Sequence, residues 1–222
     1  MSTQDSSRGR LLAAAERLFA ERGIDTVSLR EIIRESGVKH STAIQYHFGG
    51  KDGLLAAVLE DHYSRVDTRR EAMLDQLVAD GRDDLRALAG TLVRPLATEL
   101  SDVRGRFFLQ IYAQMVARTK TPTSDDGSSL WRLRSLIRPL MPPDSTRLHP
   151  MFTALTFAMV ELARRASDPP HTDDRLFVSR LIDVVTAILE TPVSAETQRL
   201  LRERDARAPA TPSDDSDRSQ RG

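Results

Sequence analysis

Between Glu35 and Asp52 the chain has no acidic residue, and Lys39, His40, His47 and Lys51 all fall in that interval. Interleaved with them are Ser41, Thr42, Gln45 and Tyr46. These are side chains suited to nucleic acid. A glutamine can hydrogen-bond adenine bidentately and a threonine methyl can meet the thymine methyl, while lysine, histidine, tyrosine and serine reach phosphate oxygens. These eight residues are the candidate DNA contacts, although taken alone Tyr46 reads equally as a half-buried core aromatic, His47 as structural and Lys51 as a solvated cation. Catalytic chemistry has less to stand on. The 222 residues include no cysteine, which removes thiolate metal sites, iron–sulfur clusters, disulfides and cysteine nucleophiles together. No G-x-S-x-G, G-x-G-x-x-G, Walker A or H-E-x-x-H pattern occurs. The nearest metal-like group, His171 with Asp173 and Asp174, falls at a helix start, where acids simply complement the helix dipole. No enzyme activity, cofactor or resident metal is expected.

The elements that must hold this segment read as helices. Leu11, Leu12, Ala15, Leu18 and Phe19 share one helical face, and Gly23 follows as a C-terminal stop. Ser28 and Glu31 have the spacing of a capping box for a second helix, with Leu29, Ile32 and Ile33 on its apolar side and Gly37 at its end. A third short helix is expected from about Ser41 to His47, with Ile44 and Phe48 turned inward. Two helices joined by a tight glycine-containing turn make a helix-turn-helix, whose second member enters the major groove. The charge is modest. Residues 1 to 55 carry eight Lys and Arg against seven Asp and Glu, and the whole chain balances 32 against 32, so the footprint should be narrow.

The run LLAAAERLFAERGIDTVSLREIIRESGV, with AIQYHFGGKDGLL after it, resembles the DNA-binding region of TetR-family transcriptional regulators. The matching features are Phe19, Gly23, the block Val27 to Ile32, Gly37-Val38, Tyr46-His47-Phe48 and Gly50-Lys51. From Gly37 to Lys51 the chain has one residue more than the commonest spacing, near Lys39-His40. The resemblance implies that Tyr46, His47 and Lys51 lie on or near phosphate. It implies a homodimer on a palindromic double-stranded operator, with half-sites about one helical turn apart, roughly 34–36 Å. A dimeric repressor released by a small, mostly apolar effector is the function it suggests. A DNA-binding activator or architectural regulator without an effector is the alternative.

Beyond this region the periodicity stays helical. A long helix from Asp52 to about Val78 would span roughly 40 Å and connect two lobes. Leu85 to Leu100 follows, with a kink expected at Pro95. Phe107, Phe108, Tyr112, Met115, Trp131 and Phe152 bring bulky soft side chains to the middle helices, as pockets between bundle helices require. With His62, which is either a polar anchor or a satisfied core histidine, they are the effector-pocket candidates. Helices from about Leu148 to Ala166 and Asp173 to Glu190 carry wide apolar stripes. A wide stripe suits burial against a second subunit as well as the own core, or else a central helix of a monomer. Phe157, Val160, Phe177, Leu181, Val185 and Ile188 are the expected dimer contacts, where TetR relatives form a four-helix bundle.

The expectation is an all-α chain: a DNA-binding domain over 1–55, an effector-binding and dimerisation domain over 56–206, and a disordered tail over 207–222. No apolar run approaches the roughly 18 residues of a membrane span, and the polar N-terminus lacks a signal-peptide core. A cytoplasmic protein with no membrane partner is expected.

Overall fold

Five helices begin the same way. Ser6, Ser28, Asp84, Asp102 and Ser194 each accept, on a side-chain oxygen, the backbone N–H three residues on. Such a cap satisfies one of the donors that a helix start leaves open. The protein is described by a computed structural model over residues 6–40, 42–82, 84–119, 128–168 and 171–207. Among the described residues every regular element is a helix. They are α1 (Ser7–Arg22), α2 (Leu29–Ser36), α3 (Ala43–Phe48), α4 (Lys51–Ala79), α5 (Leu85–Ala97), α6 (Val103–Arg118), α7 (Ser129–Ile137), α8 (Pro150–Ser167), α9 (Arg175–Glu190) and α10 (Ala195–Arg207). Short 3₁₀ turns occupy Thr98–Ser101, Arg138–Leu140 and Ser145–Leu148.

The 29 residues of α4 give it a length of about 43 Å. Its first turns join α1 and α3 around Leu11, Leu18, Phe19, Ile44 and Leu54, all essentially without solvent exposure. Its later turns pack on α5 and α7. α6 lies against α8 and also against α1, and α9 lies against α5 and α8. Pro95 sits inside α5 without ending it. The missing N–H of Pro95 leaves the Thr91 carbonyl without its helical donor. Buried Arg70 of α4 supplies a donor instead, from Nε at 3.3 Å, and its other end reaches Ser129 Oγ at 3.1 Å.

The stripe on α9 divides. Leu181 is 3% exposed and Val185 is fully buried, both within the subunit, together with Ile182 and Leu189. They are therefore core residues and not dimer contacts, because α9 packs on two neighbours of its own chain. Phe177 and Ile188 stay half-buried on the flank of α9, and Phe157 stays half-buried on α8. Val160 is exposed. Residues 120–127 lie outside the described residues; of the tail expected to be disordered over 207–222, Arg207 ends α10 and 208–222 lie outside the described residues.

Candidate functional site

Local sequence chemistry builds the helix-turn-helix. Ser28 Oγ accepts the Glu31 N–H at 3.2 Å and starts α2. The reciprocal half of the expected capping box is not made, because the Glu31 carboxylate pairs with Arg22 of α1. α2 buries Ile32 and ends at Gly37 in the left-handed conformation. Val38 is buried, while Lys39 and His40 are exposed in the turn. α3 begins at Ala43, two residues later than the periodicity suggests. The longer turn is closed by the Ala43 N–H donating to the His40 carbonyl at 3.1 Å.

α3 turns Ala43 and Ile44 inward and leaves Gln45, Tyr46 and His47 exposed, with Thr42 exposed just before it. Tyr46 is 85% exposed, so it is not a core aromatic. Phe48 is half-buried, and the Arg8 guanidinium lies 5.3 Å from its ring centroid. Ser41 lies outside the described residues. Six of the eight expected DNA contacts, Lys39, His40, Thr42, Gln45, Tyr46 and His47, thus share one solvent-facing segment.

Lys51 is placed differently. Its Nζ donates to the Val27 carbonyl at 2.6 Å and lies 6.0 Å from the Phe19 ring centroid. It braces the start of α4 against the α1–α2 loop, with two N–H donors left over. The junction from α3 to α4 depends on glycine. Gly50 has φ of 134°, a backbone region that other residues rarely adopt. A Cβ on Gly53 would stand 1.9 Å from the Phe48 carbonyl oxygen, so only hydrogen fits there.

Behind the helix-turn-helix a buried charged cluster ties it to the larger lobe. His62 of α4 is 1% exposed and stacks on Phe108 with centroids 4.8 Å apart. Its Nδ1 donates to Glu99 Oε2 at 2.5 Å, and its Nε2 faces Glu16 Oε1 of α1 at 3.5 Å. Arg65 and Arg69 bind the Glu99 carboxylate at 3.0 and 2.8 Å, and Arg104 of α6 binds Glu16 at 2.9 Å. Burial pushes the Glu99 carboxyl up, but hydrogen bonds from His62, Arg65 and Arg69 outweigh it and hold the group down at about 2. Burial and the nearby Arg65 charge lower His62, yet Glu16 and Glu99 raise it further, so it is net raised above 6.5. His62 is a core histidine and lines no cavity; its Nδ1 is bonded, whereas its Nε2 and the facing Glu16 Oε1 are buried without a hydrogen-bond partner. Gln114 of α6 makes a second tie: its Oε1 accepts the Ile24 N–H at 2.9 Å, and its Nε2 donates to the Phe19 carbonyl at 3.2 Å.

The residues expected to line an effector pocket do not share one cavity. Phe108 is fully buried, and Tyr63, Phe108 and Tyr112 pack ring against ring, with centroids 4.9 to 5.6 Å apart. These rings fill the core, so they leave no room for a ligand. Phe107 and Met115 are half-buried on α6 and line no cavity described here. A cavity of about 150 Å³ opens instead between α7, the Ser145–Leu148 turn and the start of α8. Trp131 and Phe152 do line it, beside Leu130, Met141, Met151 and Leu155, with Arg134, Arg138, Thr146 and His149 as its polar groups. The adjacent Pro142 and Pro143 are the sequence signal that could have marked a break there. Asp173 is taken by Arg175 and Asp174 by Arg165, and the described residues hold no cluster suited to a metal.

Residues 11–58 match the family model described as bacterial regulatory proteins, tetR family. The HTH-type transcriptional repressor Rv3405c of Mycobacterium tuberculosis (strain ATCC 25618 / H37Rv) is 48% identical over 59 residues, 27% of this chain and 30% of that protein. The HTH-type transcriptional regulator AcrR of Shigella flexneri is 30% identical over 105 residues, 47% of each chain. The matched stretches thus span less than half the length of these relatives. A crystal structure of a HlyIIR mutant protein aligns over 86% of this chain and 99% of that one, at 13% identity and a TM-score of 0.49. No helix among the described residues is long and apolar enough to cross a membrane.

Proposed function

We propose that this chain, whose residues 11–58 match the tetR-family model, is a TetR-family regulator that acts in the cytoplasm as a homodimeric repressor, released from a palindromic operator by a small effector. The observation that carries the DNA-binding reading is the exposed face of α3: Gln45, Tyr46 and His47 point outward from a helix whose other side is anchored by Ile44. The relative named as a repressor supports the sign of regulation. Residues 1–55 form the DNA-binding domain and 56–206 the effector and dimerisation domain.

Dimerisation uses the solvent-facing flanks of α8 and α9 that carry Phe157, Val160, Phe177 and Ile188. The effector occupies the cavity at the start of α8. α8 packs on α6, and α6 holds the end of α1 through Gln114. A ligand that shifts α8 therefore has a packed route to the recognition helix. Groove spacing is fixed by DNA, so a small change in the separation of two recognition helices misplaces one half-site. A coupling of about 1–3 kcal/mol weakens the operator roughly 5- to 150-fold.

The test is sequence-resolved binding on duplexes selected from a random pool. Gln45→Ala should relax preference at one base pair of each half-site, costing about 1–3 kcal/mol there. A variant with unchanged preference at every position removes Gln45 from base reading. Selected duplexes without two-fold symmetry would refute the dimeric operator.

A further inference from the structure

The cavity beside α8 carries charge of one sign. Among the described residues no carboxylate lines it, whereas Arg134, Arg138 and His149 do. Arginines nearby in sequence find partners: Arg132 pairs with Glu71 and Asp75, and Arg147 with Asp205. Arg134 and Arg138 make no ion pair among the described residues. Arg134 instead lays its guanidinium on the Trp131 ring, 4.3 Å from the centroid. This cation–π contact holds the group beside the ring and leaves its N–H donors available to a carboxylate. His149 stands at the same rim. It is the one non-glycine among the described residues with a positive φ, 54°, and no side-chain cap bond accompanies it at the start of α8. Backbone held in that region is costly and tends to occur where a side chain must be aimed.

The rest of the wall is apolar: Leu130, Met141, Met151, Phe152 and Leu155 with the Trp131 face. At about 150 Å³ the partly open cavity suits one benzene-sized group in its apolar interior.

We propose that this cavity binds an organic monocarboxylate whose apolar body is a single ring or a chain of similar volume. The body lies against Trp131, Met151 and Phe152. The carboxylate is held at the rim by Arg134 and Arg138, with the His149 imidazole beside it. This deepens the effector reading above and rests on it for any consequence at the operator.

Trp131 is the only tryptophan in the chain, so its fluorescence reports on this cavity alone. Phenylpropionate and its neutral counterpart phenylpropanol are titrated into the full-length protein, by fluorescence and by calorimetry. The acid should bind about tenfold or more tighter than the alcohol, the usual scale of one charge-assisted hydrogen bond. That advantage should collapse in Arg138→Gln, whose position is exposed and outside the core, and in Arg134→Gln. Equal affinities, no binding of either compound at millimolar concentration, or an acid preference that survives both substitutions would each overturn the proposal. Operator binding is measured separately with saturating phenylpropionate. Unchanged operator affinity there would sink the effector reading and leave the carboxylate site standing.

Discussion

Replacing Glu99 by Gln tests whether the buried cluster between the two lobes holds them together by charge. The substitution keeps the shape of the side chain and removes the charge. Glu99 is 2% exposed and receives His62, Arg65 and Arg69. A carboxyl held at about 2 against 4.5 when free represents about 3 kcal/mol at neutral pH, at about 1.4 kcal/mol per pH unit. Arg65 and Arg69 are 45% and 43% exposed, so water screens part of their attraction. A loss of about 2 kcal/mol is the expected figure. The sign follows from linkage. Glu99 is depressed, so its contribution is full above about 4.5 and fades as pH falls toward 2. His62 is raised, so its contribution is full below 6.5 and fades as pH rises through its folded value. Urea unfolding followed by circular dichroism, at one fixed protein concentration, should show Glu99→Gln about 2 kcal/mol less stable at pH 6. The two proteins should converge as pH falls from about 4.5 toward about 2. Above pH 6.5 the parent should lose stability more steeply than the variant, which has already lost the main partner of His62. A constant offset from pH 3.5 to 8, or a difference below about 0.5 kcal/mol at pH 6, would refute the reasoning.

The α3–α4 junction makes a second test: Gly53→Ala puts a Cβ 1.9 Å from the Phe48 carbonyl, and operator affinity should fall at least about tenfold while far-ultraviolet helicity is retained. Parent-like binding in fluorescence anisotropy would show that this close approach does not set the recognition helix. A third test separates surface from core on α9. Phe177→Glu should give folded monomers in sedimentation, whereas Leu181→Glu, burying a charge at a 3% exposed position, should unfold the chain by several kcal/mol. Identical behaviour of the two variants would place the dimer contacts elsewhere.

The parts most legible in the sequence were those set by local rules. Ser28, Gly23 and Gly37 mark helix ends through their own backbone chemistry, and each stands where its residue type places it. The all-helical fold and the outward face of α3 follow from spacing of apolar residues over a few turns. Tertiary choices were less legible. A stripe containing both Phe177 and Leu181 does not say which edge meets its own chain, because that depends on where α5 and α8 lie. Nor does a set of aromatic residues tell a filled core from an open pocket: Phe108 and Tyr112 lie in the first, Trp131 and Phe152 in the second. Lys51 looked like a free cation, and its Val27 bond could be seen only once α1 and α4 were set side by side.

Two struts reach the helix-turn-helix from the larger lobe, and they grip it at different points. α4 holds it through the Gly53 contact with Phe48 and through His62 facing Glu16. α6 holds it through Gln114 at the end of α1 and Arg104 at Glu16. The cavity touches neither grip. It borders α8, whose most extensive packing is on α6. In the proposed release a ligand there would act first on the α6 strut, while the Arg70 bonds to Thr91 and Ser129 pin the far half of α4 to α5 and α7. Moving one strut against a pinned other is then expected to rotate α1–α3. Rotation is the more damaging motion for a short recognition helix. Gln45 and Tyr46 project from a helix of six residues, so a tilt displaces the whole exposed face at once, with no later turn left to keep contact. The proposed release therefore needs only a small ligand, and a cavity sized for one ring is sufficient for it.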